Sequence, residues 1–293
     1  MSSMPVLDTL PMTLPRLAEK KRLGEPIVMV TAYDHPSARV ADAAGVDLVL
    51  VGDSAANVVL GYSSTVPVSV DELVMLSAAV RRGLRTPFMV SDLPFGSYEA
   101  SDEQAIATAQ RFVKEAGADA VKLEGGGKMV DRARAIVEAG IPVMGHVGLT
   151  PQTATALGGY KAQGRSADAA LKVAEDALAL QEAGCFAIVF EAIPAGVSEE
   201  LMYSMEIPVI GIGAGPTTDG QVLVFHDLLG INETRPPGGA RFVKRYGDLM
   251  DEMIRGMSAY AEDVRSKRFP APEHTYSIDP GELADFKSRL KAA

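Results

Sequence analysis

Six ionisable side chains stand where short apolar runs of this chain stop. Asp53 follows VDLVLVG, Asp92 follows PFMVS, and Lys122 and Glu124 close ADAVKLE. His146 lies in the Gly-His-Val-Gly turn after IPVMG, and Glu191 follows FAIVF. Taken singly, a carboxylate at a strand end is ordinarily a helix cap or a solvated loop residue. Gathered in one volume, Asp53, Asp92 and Glu124 would set three negative charges side by side, and like charges resist simultaneous ionisation unless something positive sits between them. A bound cation satisfies that need. An all-oxygen ligand set with no Cys or His cluster suits a hard ion such as Mg2+, one per site, and disfavours structural zinc.

Mg2+ keeps several coordination positions open or water-filled, which leaves room for a bidentate ligand. A 2-keto acid offers one carboxylate oxygen and its keto oxygen; the metal polarises the carbonyl, and the neighbouring C–H proton becomes easier to remove, giving an enolate. Lys122 is of the right type to neutralise the enolate oxygen or the substrate carboxylate. A salt bridge from Lys122 to Glu124 or Asp92 is its structural alternative. Glu191, at the end of an apolar strand, is suited to general-base work, with plain capping as the alternative. His146 can donate a hydrogen bond to substrate or to a ligand carboxylate, or serve structure alone. The run Gly211-Ile-Gly-Ala-Gly-Pro looks superficially like a phosphate loop. It lacks the G-x-G-x-x-G spacing, and Pro216 withholds an amide where a cradle needs one.

These side chains need strands to aim them. Candidate strands run Ile27 to Thr31, Val46 to Gly52, Pro87 to Ser91, Ala118 to Leu123, Ile141 to Gly145, Phe186 to Phe190, Ile207 to Ile212 and Val222 to Phe225. They are nearly continuous apolar runs, as expected of parallel strands covered on both faces. Helical stretches separate them. The clearest is Asp102 to Ala116, where Ala105, Ile106, Ala109, Phe112, Val113 and Ala116 share a face, Ser101 and Gln104 can form a capping box, and Gly117 can end the helix. Glu-Ala-Gly leads into a strand at Gly117, Gly140 and Gly184, with Ala-Ala-Gly45 a looser copy. Alternating strands and helices also build open doubly wound sheets, but eight such units favour an α/β fold of the (β/α)8 barrel type, a single domain whose strand C-termini converge on one mouth. The expected division is an N-terminal extension over residues 1–20, the catalytic barrel over 21–266, and a Pro-rich tail with a short helix over 267–293. Long loops at Asp53 to Val70 and Leu149 to Arg165 follow strands two and five.

The 293 residues are 47% apolar and 23% charged, a balance that buries a core. A formal net charge of −10 argues against nucleic-acid and anionic-membrane partners and for a small molecule. The single cysteine, Cys185, opens an apolar run and is expected to pack as a small hydrophobe. Residues 1–15 lack the basic start and apolar centre of a secretory signal, and no run of about 18 apolar residues suggests a membrane span. A cytoplasmic location is the expectation.

The same residues lie in longer stretches: VTAYDHPSA from Val30, VGDSAANVVLGYSSTVPV from Val51, VSDLPFGSY from Val90, VKLEGG from Val121, GHVGLTPQ from Gly145, GGYKAQGR from Gly158 and IPVIGIGAGPTTDGQVLVFHDLLG from Ile207. Together they resemble the ketopantoate hydroxymethyltransferase family. The resemblance implies transfer of a one-carbon unit from 5,10-methylenetetrahydrofolate to 3-methyl-2-oxobutanoate (alpha-ketoisovalerate), giving 2-dehydropantoate and tetrahydrofolate in pantothenate and coenzyme A biosynthesis. It implies Asp53 and Asp92 as magnesium ligands that also contact the keto acid, with Glu124 completing the set. Ser54 and Lys122 then bind the keto acid and Glu191 accepts the proton. A homo-oligomer, a decamer of two stacked five-subunit rings, is implied as well. Two departures stand out: Pro194-Ala195-Gly196-Val197 where the family often has Pro-x-Glu-Leu, and the plain stretch Ala154 to Ala156. Two other readings share the metal logic: a lyase or mutase of the phosphoenolpyruvate mutase and isocitrate lyase group, and a non-catalytic barrel that binds a keto acid.

Overall fold

The computed structural model describes residues 10–232 and 240–292. Residues 1–9 of the expected N-terminal extension and Ala293 of the expected tail lie outside them. The chain divides into two compact units, Met1–Tyr246 and Gly247–Ala293.

In the first unit the order is α1 (Leu14–Leu23), β1 (Ile27–Thr31), α2 (His35–Ala44), β2 (Leu48–Val51), α3 (Ala55–Val58), α4 (Val70–Gly83), β3 (Phe88–Asp92), α5 (Asp102–Ala116) and β4 (Ala120–Lys122). It continues with α6 (Lys128–Glu138), β5 (Val143–Gly148), α7 (Ala167–Glu182), β6 (Ala187–Glu191), α8 (Ala195–Met202), β7 (Val209–Ile212), β8 (Gly220–Leu223) and α9 (Phe225–Leu228). The strands pair in parallel in chain order, and β8 returns to β1 to close an eight-stranded barrel. The second unit holds α10 (Leu249–Arg265) and α11 (Pro280–Ala292). Among the described residues no helix is long and apolar enough to cross a membrane.

Side chains alternate across a strand, so each strand feeds two apolar layers. Met29, Leu48, Leu50, Phe88, Val90, Ala120, Met144, Ala187, Val189, Ile210 and Val222 fill the barrel interior. Their neighbours Val49, Val51, Met89, Val121, Val143, Ile188, Phe190 and Val209 pack outward under the helices. This two-sided burial is why the runs show so little polar alternation. Cys185 is buried and free, and burial pushes its thiol up to about 12, as befits a packing residue.

Local signals account for the helix ends. Ser101 accepts a hydrogen bond from the Gln104 amide, and α5 stops at Gly117 with φ 70°. The Gln104 side chain accepts from Ala100 N, so only half of the expected capping box forms. The repeated glycine before a strand turns the chain through the left-handed region at Gly45, Gly117, Gly140 and Gly184, with φ of 72°, 70°, 88° and 93°.

The last strand lies two residues earlier than its apolar run suggested. At Gly220 a Cβ would stand 2.4 Å from the Ile27 carbonyl oxygen and 2.8 Å from Ile210 Cδ1. Glycine is what lets β8 close on β1, whereas Phe225 already opens α9. An apolar pattern cannot register a strand that begins on a residue with no side chain.

Candidate active site

The interior alternation that packs Val90, Ala120, Met144 and Val189 continues upward into Asp92, Lys122, His146 and Glu191. Pairing persists past the end of β4, because Leu123 N donates to Met144 O at 3.3 Å and Gly125 N to His146 O at 2.9 Å. Glu124 therefore stays on the same face as Lys122. Asp53 breaks this parity. Gly52 occupies the inward position after Leu50, and a Cβ there would meet Ser54 Oγ at 2.8 Å and Asp92 Oδ2 at 3.5 Å. The missing side chain lets the chain turn so that Asp53 N donates to Asp92 Oδ2 at 2.9 Å.

The charged groups form one linked, water-excluded cluster. Asp53, Asp92, Lys122, Glu124 and His146 are each no more than 4% exposed. Lys122 Nζ lies 2.8 Å from Asp92 Oδ1, 4.0 Å from Glu124 Oε1 and 3.5 Å from His146 Nδ1. His146 bridges two glutamates, with Nδ1 3.3 Å from Glu124 Oε1 and Nε2 3.3 Å from Glu191 Oε2. Glu191 is more open than the rest, its side chain 15% exposed.

The electrostatics follow from this packing. Burial, then the nearby Glu124 and Asp92 carboxylates, push Asp53 up to about 8, with Lys122 and Gln152 only partly offsetting them. Burial likewise raises Asp92, against the pull of Lys122. Burial would discharge Lys122, but Asp92, Glu124 and Asp53 outweigh it and hold the ammonium charged. Burial and Lys122 also press His146 towards neutrality; Glu124 and Glu191 overcome both and carry it to about 9. Glu124 ends below its usual value, because His146, Lys122 and the Gln152 amide outweigh its burial.

Asp92 Oδ1 is taken up by the Lys122 ammonium and His146 Nε2 faces the Glu191 carboxylate, so charged partners meet both buried atoms. Among the described residues, no three His, Cys, Asp or Glu side chains are arranged to hold a metal ion by themselves.

All the strand-end residues singled out in the sequence thus meet at the mouth. Ser54 stands at its edge, at the start of α3, with Oγ 2.8 Å from the buried Tyr33 hydroxyl rather than in the carboxylate cluster. In the Gly211 run, Cβ atoms at Gly213 and Gly215 would strike Phe242 at 2.6 Å and Ala195 at 2.7 Å, so these glycines serve close packing. Sequence reasoning passed over Gln152, Tyr98 and Tyr33. Gln152 donates to Asp53 Oδ2 at 3.0 Å, and its backbone N donates to Glu124 Oε2 at 3.1 Å. Its one signal was position, a Gln just after strand five in a long loop.

The ketopantoate hydroxymethyltransferase family model matches residues 11–272. The chain is 52% identical over 264 residues to a 3-methyl-2-oxobutanoate hydroxymethyltransferase of Moorella thermoacetica, covering 90% of this chain and 97% of that protein. It is 51% identical over 282 residues to the mitochondrial 3-methyl-2-oxobutanoate hydroxymethyltransferase 2 of Oryza sativa, covering 95% and 71%. Among solved structures it is similar to a phosphonopyruvate hydrolase in complex with oxalate and Mg2+, with a TM-score of 0.58, 12% identity, and coverage of 96% and 97%. A 2,3-dimethylmalate lyase of the phosphoenolpyruvate mutase and isocitrate lyase superfamily matches with a TM-score of 0.52 and 16% identity, covering 96% and 99%. At such identity these structures share the fold alone.

Proposed function

The chain belongs to the ketopantoate hydroxymethyltransferase family and is a transferase, and from that premise we propose its reaction and the residues that carry it. The chain moves a one-carbon unit from 5,10-methylenetetrahydrofolate to C3 of 3-methyl-2-oxobutanoate, with water supplying the hydroxyl oxygen, and releases 2-dehydropantoate and tetrahydrofolate. This is a step of pantothenate and coenzyme A biosynthesis.

The observation that carries this reading is the buried cluster at the mouth, where carboxylates, an ammonium and an imidazole from β2 to β6 converge. The donor set fits Mg2+: Asp53 and Asp92 would hold it through hard, buried carboxylate oxygens, with Glu124 completing the set. Substrate oxygens and water would fill the remaining positions. When bound, Mg2+ supplies Lewis-acid polarisation of the keto carbonyl.

The protein's own groups do the rest. Lys122, held charged against Asp92, faces the keto acid and stabilises negative charge as it grows on the carbonyl oxygen. Ser54 contributes a hydroxyl at the edge of the keto-acid site. Glu191, the most open acid of the cluster, takes the C3 proton. His146, placed between Glu124 and Glu191, fixes the orientation of that base. Burial excludes water and strengthens each of these interactions. The reading extends to a cytoplasmic decamer, for which analytical ultracentrifugation is the direct measurement.

Purified protein given 3-methyl-2-oxobutanoate, 5,10-methylenetetrahydrofolate and magnesium should form 2-dehydropantoate, and chelation should stop it. Folded, magnesium-bound protein that yields no 2-dehydropantoate would sink the proposal. A phosphoenolpyruvate mutase-like lyase would be expected to carry a cysteine in a mobile active-site loop, whereas the single cysteine, Cys185, is buried just ahead of β6.

A further inference from the structure

The loop that leaves β5 turns at once through a single 3-10 turn, Pro151–Thr153, and puts Gln152 back into the barrel mouth at 5% exposure. A neutral amide buried that deeply is destabilising unless its donors and acceptor are all paired. Here they are. Nε2 donates to Leu93 O and to Asp53 Oδ2, both at 3.0 Å, and Oε1 accepts from the Tyr98 hydroxyl at 2.7 Å. The backbone N donates to Glu124 Oε2 at 3.1 Å. Tyr98 closes the circuit, because its oxygen also accepts from Glu124 N at 3.3 Å.

This circuit sets the amide one way round. Leu93 O can only accept, so the NH2 end must face it, and the Tyr98 hydroxyl holds the carbonyl end on the opposite side. Asp53 consequently receives a donor on Oδ2, and Glu124 receives one on Oε2. One residue from the loop after β5 thereby holds an oxygen of each of two acids, which come from the ends of β2 and β4. Gln152 does this without adding a charge to the cluster, since its amide is neutral.

We infer that Gln152 is a positioning residue for the divalent cation: by engaging one oxygen of Asp53 and one of Glu124 it decides which oxygens stay available, with Tyr98 fixing the direction of the amide. The inference rests on the magnesium reading above.

The test is calorimetric titration of magnesium chloride into the full-length protein without substrates, with the thermal midpoint measured alongside. Gln152→Met keeps the length of the side chain and the backbone donor to Glu124 but removes both amide donors. Its magnesium Kd should rise about 10- to 100-fold, the usual effect of losing a partner that orients a ligand. Tyr98→Phe, which frees the direction of the amide, should raise Kd by a smaller factor. A Gln152→Met protein with the parental Kd overturns the inference even if its thermal midpoint falls, since Gln152 would then be a loop anchor only. If Gln152→Met does not fold, an unchanged Kd in Tyr98→Phe overturns it instead. Failure of the unaltered protein to bind magnesium overturns both this inference and the magnesium reading, and so is distinct from failure of the variant arm.

Discussion

Replacing Asp53 with asparagine should make the metal-free protein more stable while abolishing its use of magnesium. In the folded chain burial, Glu124 and Asp92 carry the Asp53 carboxyl from its ordinary 3.8 to about 8. Between those values the native state holds a proton that the unfolded chain has released, so stability falls as pH rises through the window and is flat outside it. The slope is about 1.4 kcal/mol per pH unit. The accumulated penalty is then about 2 kcal/mol at pH 5 and at most about 4 kcal/mol at pH 7. Asparagine has the same shape, does not titrate, and its carbonyl oxygen can still accept from Gln152 Nε2. Urea denaturation in EDTA at pH 5 and pH 7 should therefore show Asp53→Asn ahead of the parent by a margin that widens by about 2 to 3 kcal/mol between the two conditions. Saturating magnesium should reverse the order, because only the parent gains binding free energy. A margin that stays constant from pH 5 to pH 7, or an Asp53→Asn protein that is less stable at pH 7 in EDTA, would refute the claim that crowded, buried carboxylates strain this site.

Three further outcomes are expected. Asp92→Ala should weaken magnesium binding and turnover together, by more than the roughly 100-fold that loss of an outer partner reaches, as read by calorimetry and product formation. Glu191→Gln should leave magnesium and keto-acid binding close to the parent while slowing exchange of the substrate C3 proton with deuterated solvent by about 10²- to 10⁴-fold; parental exchange rates would assign the base elsewhere. Gly220→Ala should lower the urea midpoint by an amount equivalent to about 1–3 kcal/mol or more, since the new methyl would meet the Ile27 carbonyl oxygen at 2.4 Å, a backbone atom that cannot swing away.

Much of the architecture was written in local pattern. Two-sided apolar runs such as VDLVLVG and FAIVF announced parallel strands, and a glycine before each of several strands marked the helix ends that the structure shows at Gly45, Gly117, Gly140 and Gly184. Both are short-range effects, of side-chain burial and of backbone sterics, so a few consecutive residues suffice to encode them. Asp92, Lys122, Glu124, His146 and Glu191 were legible for the same reason: each stands at the mouth end of a strand whose inward parity the sequence carries.

Tertiary structure alone decided how those groups pair. That His146 lies between Glu124 and Glu191, that Asp53 leaves the inward parity through Gly52, and that Gln152 joins Asp53 to Glu124 all depend on contacts between residues up to 99 apart in the chain. The first residue of β8 was equally out of reach, because barrel closure selects Gly220 by the space it leaves open beside Ile27. A neutral amide and a bare backbone position carry no hydrophobic period and no charge. Their meaning arises only when neighbouring strands bring partners to them, whereas apolar alternation and glycine turns are decided by the chain within a few residues of themselves.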